Sequence, residues 1–369
     1  MIDSRELESL CDRWLERELV GLDTEFVRTR TFYARLGLIQ VAAGDQVVLL
    51  DAVEIADLSP FRAVLLQDSS RKVLHSCGED LGVFLHQFGV VPRGLFDTQL
   101  AAAMVGMGFS LSYQALVERI LGVHLEKGET RSDWTARPLR EAQLGYAALD
   151  VAYLEPVYQH LMDRLLTLGR AAWVEEEFER LGERSRHQVQ PDEAYLRIKG
   201  RGSLDQRGQA ILRLLCAFRE GEARGRNLAR TFVVRDDALL AVAAKRPRSS
   251  RHLRRIAQLG GNERKRYGDR FLEIVEEALS LPTQDLPERR PGGPRVPHLS
   301  ELVKELQALV ARIGGEMEIA PEILARRRVL EGLVRSYVGR GSRELPAELG
   351  GWRRDVVGQP ALELLDTAA

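Results

Sequence analysis

The chain has 369 residues, enough for two or three domains, and 44% of them are hydrophobic, which excludes a disordered protein. Its net charge of −1 conceals an asymmetry: residues 1–194 hold 20 Lys+Arg and 31 Asp+Glu, residues 195–272 hold 20 and 7, and residues 273–369 hold 13 and 16. Cys11, Cys77 and Cys216 are far apart, which argues against a disulfide framework or a Cys-x-x-Cys zinc site, and no apolar run approaches membrane-spanning length, so a cytoplasmic protein without a membrane partner is expected.

An amphipathic helix is expected over Arg5–Glu18, then strands at Leu19–Glu25, Leu36–Ala42 and Gln46–Leu50. The short Ala43-Gly44-Asp45 turn makes the last two a hairpin. The first strand ends in Asp23-Thr24-Glu25. Residues two apart in a strand share a face, so Asp23 and Glu25 point the same way. Their repulsion and partial burial are best offset by a divalent cation, and hard carboxylate oxygens suit Mg²⁺ or Mn²⁺. The competing reading is a solvated pair at a strand mouth.

A helix near Leu58–Leu66 and a strand at Lys72–Ser76 follow. His75-Ser76-Cys77-Gly78-Glu79-Asp80 then opens a helix running to Phe88. His75 reads as a packed, hydrogen-bonded histidine rather than a ligand. A short strand, Gly94–Asp97, leads to Asp97-Thr98, a helix cap. The stretch Leu125–Pro138 reads as a long functional loop. In it, an exposed Trp134 beside Arg131, Arg137 and Arg140 suits base stacking and phosphate contact, or else anchors the loop. A long helical pattern from Glu141 to Leu168 carries Tyr146 and Asp150, four apart and on one face. Gly169 separates it from a helix over Arg170–Arg186. Three sequential strands and then alternating helix and strand predict an α/β domain with a mixed sheet over residues 1–190.

A polar break at His187–Asp192 precedes a second block, residues 194–281, with helices over Leu204–Glu220, Asp236–Ala244, Ser250–Ile256 and Glu263–Ser280. Their apolar spacing predicts a small all-α bundle. With 20 basic against 7 acidic residues over 195–272, this block is a footprint for a polyanion. The candidate phosphate contacts are Arg246, Arg248, Arg251, Arg254, Arg255, Arg264, Lys265 and Arg266. Pro282–Pro297 reads as a linker, and residues 298–369 as a third, helical block.

The carboxylates Asp23, Glu25, Asp80 and Asp150, with Tyr146 one turn before the last, resemble the DEDD superfamily of 3′–5′ exonucleases in its Tyr-x-x-x-Asp subclass. Asp23-Thr24-Glu25-Phe26-Val27-Arg28, Leu36-Gly37-Leu38-Ile39-Gln40, Phe96-Asp97-Thr98-Gln99 and Asp133-Trp134 with Arg137-Pro138-Leu139 narrow the resemblance to the ribonuclease D family. That resemblance implies a ribonuclease H-like sheet, and the basic block resembles the helicase-and-ribonuclease-D C-terminal domain. The third block reads as a diverged second copy. The resemblance also implies trimming of 3′ extensions from structured RNA, such as precursor tRNA, with release of nucleoside 5′-monophosphates by a monomer.

The expected chemistry is phosphodiester hydrolysis by two divalent metal ions, Mg²⁺ or Mn²⁺, about 3.5–4 Å apart. Asp23 is the expected bridging ligand, Glu25 and Asp150 complete the metal that activates water, and Asp80 supports the second. Tyr146 orients the attacking water. Thr24, Phe26, Gln40, Trp134 and Arg137 are the candidate substrate contacts. A DNA exonuclease and a catalytically silent RNA-binding protein are the rival readings.

Overall fold

The computed structural model describes residues 4–126, 128–129, 132–187, 190–287 and 298–368. Arg131, Gln188, Val189 and most of the linker over 282–297 lie outside the described residues. In chain order, helix α1 (Ser4–Leu15) precedes strands β1 (Leu19–Val27), β2 (Arg35–Ala43) and β3 (Gln46–Asp51). Then come α2 (Phe61–Leu66), β4 (Arg71–Leu74), α3 (Gly78–Phe88), β5 (Leu95–Asp97), α4 (Thr98–Met104), α5 (Tyr113–Leu121), α6 (Glu141–Ala152), α7 (Leu154–Thr167) and α8 (Ala171–Arg186). The basic block supplies α9 (Gln206–Gly225), α10 (Arg230–Val233), α11 (Asp236–Lys245), α12 (Ser250–Leu253) and α13 (Gly261–Ser280). The last block holds α14 (Leu299–Met317), α15 (Pro321–Leu324), α16 (Arg327–Arg340) and α17 (Gln359–Ala368).

The chain forms two compact units. One comprises Met1–Phe26, Leu36–Arg186 and Pro291–Ala369; the other comprises Val27–Arg35 and His187–Arg290. The sheet of the first unit has the order β3-β2-β1-β4-β5. β2 and β3 are antiparallel and joined at Ala43–Gln46, as the turn predicts. β4 runs parallel to both β1 and β5. The mixed sheet is therefore as expected, and the carboxyl ends of β1, β4 and β5 lie along one edge. Sites in open α/β sheets form beyond such ends.

Apolar spacing explains the packing. Leu7, Leu10, Cys11 and Trp14 recur at three and four residues along α1, and all are buried. Gly21 in β1 lets α7 lie close, because a Cβ there would sit 3.2 Å from Leu154. The single helix expected over 141–168 is two: Tyr153, at φ −109° and ψ 8°, breaks it. Pro156 explains the break, since its ring would clash with the carbonyl four residues back, that of Ala152.

The third block shares the nuclease core. Leu302, Val303, Leu306, Val310 and Ile313 of α14 are buried in the same cluster as the sheet residues. Trp352 stacks on Trp173 with ring centroids 4.8 Å apart and planes 8° apart. The Trp352 indole N–H and the Arg353 guanidinium both donate to the buried Glu177, at 3.0 and 2.9 Å. The three-block division drawn from composition thus differs from the two units of the fold.

Two corners of the chain repeat one another. After α9 comes Asn227 in the left-handed region, φ 46°, then Ala229 at φ −57° and ψ 139°, the short α10, and Arg235 capping α11 at φ −74° and ψ 156°. After α14 comes Glu318, φ 52°, then Ala320 at φ −57° and ψ 125°, the short α15, and Arg326 capping α16 at φ −79° and ψ 147°. The offsets between these landmarks are the same in both.

Candidate active site

The last turns of β1 place Asp23 and Glu25 on one side of the strand, as its period requires. Helix α6, which packs on β3, brings Asp150 to them. One carboxylate oxygen from each of Asp23, Glu25 and Asp150 lies within 4.8 Å of the others. Asp80, in the first turn of α3, is buried and close enough to repel Asp23. The Thr24 hydroxyl donates to its Oδ1. Tyr146 shares a hydrogen bond with the Asp150 carboxylate. The four carboxylates and the tyrosine that the sequence singles out therefore converge at the carboxyl edge of the sheet.

Asp97 holds the turn that delivers Asp80. Its buried carboxylate accepts from the backbone N–H groups of Ser76 at 3.2 Å, Cys77 at 2.9 Å, Gln99 at 2.9 Å and Leu100 at 3.0 Å. The last two are the helix cap expected from the sequence; the first two fix Ser76, whose φ of 56° is left-handed. His75 is packed as expected, with Nε2 donating to the Leu111 carbonyl at 3.0 Å and Nδ1 2.8 Å from the Thr98 hydroxyl.

The proposed substrate contacts fare differently. Trp134 is 1% exposed, so it anchors the loop instead of offering a stacking face. Gly37 makes room for it: a Cβ there would lie 2.3 Å from the Trp134 carbonyl oxygen. Arg137 is a structural clamp. Its Nε donates to Asp51 Oδ2 at 2.6 Å, Nη1 to the carbonyls of Trp134 at 2.9 Å and Ala136 at 2.8 Å, and Nη2 to the Gly37 carbonyl at 2.8 Å and to Asp51 Oδ1. With all five N–H groups committed, none is left for a phosphate. Gln40, on a strand paired on both sides, is fully buried, and its amide has no partner among the described residues. Thr24 is spent on Asp80, as above. Phe26 alone of the five stays partly exposed with no polar or ring partner among the described residues. Sequence reasoning missed Gly128, where a Cβ would lie 2.5 Å from the Tyr146 ring, so a glycine is required to cover it.

Burial, then repulsion from Asp80, Asp150 and Glu25, holds the Asp23 carboxyl well above the usual range. Glu25 is pushed up to about 8 by burial, then by Asp150 and Asp80. Burial lifts Asp80 and Asp150 to about 7, against the lowering bonds from Thr24 and Tyr146. Among the described residues no basic side chain pairs with any of the four. Closely grouped oxygens that resist ionisation without a cation fit a hard divalent metal.

A pH test follows from these shifts. A carboxyl whose folded pKa is raised makes the folded state bind more protons than the unfolded chain, here between about pH 4 and about pH 8. Stability then falls as pH rises through that window. In chelator, the thermal midpoint is expected to drop from acid to mildly alkaline pH, and Mg²⁺ or Mn²⁺ to flatten the drop. Glu25→Gln is expected to remove part of the slope. A midpoint in chelator that is independent of pH would contradict the electrostatic picture of the cluster.

Residues 1–166 match a 3′–5′ exonuclease family and residues 208–275 match the HRDC domain family. The chain is 40% identical to ribonuclease D of Pseudomonas paraeruginosa (strain DSM 24068 / PA7), covering 99% of this chain and 97% of that protein. It is 37% identical to ribonuclease D of Escherichia coli (strain K12), covering 97% and 96%. The crystal structure of Escherichia coli RNase D, described as an exoribonuclease involved in structured RNA processing, superposes with a TM-score of 0.91 at 36% identity, covering 100% of this chain and 98% of that one. The convergence of the carboxylates is thus matched by likeness over nearly the whole length: the chain belongs to the ribonuclease D family of 3′–5′ exoribonucleases.

Proposed function

We propose that this exoribonuclease trims 3′ extensions of structured RNA such as precursor tRNA, using two divalent ions held by Asp23, Glu25, Asp80 and Asp150. The observation that carries the reading is the gathering of Asp23, Glu25 and Asp150 oxygens within 4.8 Å. When bound, divalent cations supply Lewis-acid stabilisation and lower the pKa of water. Asp23, Glu25 and Asp150 would hold the ion on the water side, and Asp23 and Asp80 would hold the other. The Tyr146 hydroxyl, held by Asp150, orients the attacking water. Thr24 and Asp97 are positioning residues for Asp80, and Phe26 is left as a substrate contact. The products are nucleoside 5′-monophosphates. The repeated corners support reading residues 298–369 as a second, diverged copy of the helical domain. We place the enzyme in the cytoplasm as a monomer, in keeping with three free, buried cysteines.

A 5′-labelled RNA digested beside a DNA of the same sequence tests polarity and substrate together. The RNA is expected to shorten stepwise from its 3′ end, and a 3′-phosphate to hinder the reaction by placing a dianion beside Glu25. Preferred digestion of DNA would replace the RNA reading, and rapid internal cuts would replace the exonucleolytic one.

A further inference from the structure

The loop between β1 and β2, Val27–Arg35, belongs to the helical unit although its ends are strands of the nuclease sheet. The corner after α9 holds it. The Ala229 N–H donates to the Arg30 carbonyl at 2.9 Å, and the Tyr33 N–H donates to Asn227 Oδ1 at 2.9 Å. The Arg230 guanidinium lies 4.5 Å from the centre of the Phe32 ring, within cation–π reach. Arg230 is itself fixed, donating to the fully buried Glu220 at 2.8 Å. The repeated corner after α14 is used in the same way. There the Met317 carbonyl accepts from Arg170, and Gly106 is close enough that a Cβ would sit 2.8 Å from the Glu318 carbonyl oxygen. Each copy therefore spends this corner on a nuclease segment.

What the first copy holds is cationic. The sequence Val-Arg-Thr-Arg-Thr-Phe-Tyr-Ala-Arg has three arginines and no acid. Arg28, Arg30 and Arg35 are exposed, and none has an ion-pair partner among the described residues. The loop raises its unit to 25 Lys+Arg against 14 Asp+Glu, a net +11, while the other unit carries −12. On the same unit Arg248, Arg251, Arg254, Arg255, Lys265 and Arg266 are also exposed. Arg28 is three residues from Glu25, at most about 10 Å along even an extended chain.

We propose that Arg28, Arg30 and Arg35 are phosphate contacts of the RNA-binding surface, and that the Asn227–Arg230 corner presents them to the strand. The proposal rests on the exoribonuclease reading and names a surface for its substrate. Phosphate contacts are the right role for arginines that are exposed in side chain but fixed in backbone: the clasp bonds the loop's main chain and its Phe32, leaving the guanidinium groups to the solvent.

Binding separates this proposal from the chemistry. On an Asp23→Asn background, anisotropy of a short labelled single-stranded RNA is followed from about 50 to 200 mM salt. Replacing all three arginines by alanine is expected to flatten the slope of log affinity against log salt by about 2, at roughly 0.7 for each contact. Replacing them by lysine should restore most of the slope, which a folding defect would not allow. Asn227→Gly with Phe32→Ala keeps every arginine and frees the loop; binding is expected to weaken about two- to tenfold, the cost of ordering a few side chains on binding. A triple-alanine variant with the parent's slope would overturn the phosphate contacts. A clasp variant that binds like the parent would overturn the presenting role of the corner. A parent that binds no RNA at all would overturn both this proposal and the RNA assignment.

Discussion

Replacing Asp23 by asparagine is expected to abolish hydrolysis in a protein that remains folded and binds RNA. The side chain sits where three other carboxylates repel it, and its own carboxyl is held well above the usual range. Asparagine has the shape of the protonated acid and no charge, so in chelator the variant is expected to unfold at or above the parent's temperature. Its metal affinity is expected to fall by more than the roughly 10–100-fold typical of losing an outer-shell partner. The parent in EDTA should be equally inactive, and Mg²⁺ or Mn²⁺ should restore it but not the variant. Full activity in chelator would sink the metal-dependent mechanism, whereas a variant that is inactive because it unfolds would show in the melting curve.

The carboxylates were legible because each sits on a local period. Asp23 and Glu25 are set by the two-residue repeat of a strand, and Tyr146 and Asp150 by the turn of a helix. Asp80 follows a strand and opens a helix, a junction that Asp97 pins with backbone bonds twenty residues away in sequence. The misread residues depend on partners that no local period encodes. Arg137 looks free in sequence and is consumed by Asp51, Gly37 and its own loop. Trp134 lies in a polar stretch, yet the space that buries it is opened by Gly37 on another element. Thr24 reads as a neighbour of the substrate and is turned to Asp80 instead. The break at Tyr153 was different: Pro156 announces it, and the apolar spacing on either side hid it.

The compact units cut across the blocks drawn from composition for the same reason. Residues 298–369 carry their own helical pattern, but the apolar face of α14 is completed by the nuclease core. A truncation after Pro191 would therefore strip part of that core along with the basic block. The segment Val27–Arg35 connects two strands of the nuclease sheet, yet it is an anchored part of the helical unit. Charge along the sequence pointed to the basic block but did not show that three arginines from the nuclease end join it.

Replacing Tyr146 by phenylalanine is expected to lower turnover by roughly 10²–10⁴-fold, the range for a positioned acid–base or orienting group. The ring stays in place: it lies 6.2 Å from that of Trp134, and Gly128 is closed against its edge. Only the hydroxyl and its bond to Asp150 are lost, so the fold should lose about 0.5–1.5 kcal/mol, the usual net worth of one hydrogen bond. Burial lifts Asp150 to about 7, and the hydroxyl opposes that rise. Removing it should move Asp150 further up, so that metal binding in the variant needs a higher pH. Two roles can then be told apart. If the hydroxyl acts only by tuning Asp150, higher pH or saturating Mn²⁺ should restore the parent's turnover. If it orients water, the rate should stay low even with the metal site full, while RNA affinity is unchanged. Wild-type turnover at ordinary pH would assign the tyrosine to packing against Trp134, and complete rescue by metal would assign it to Asp150 alone.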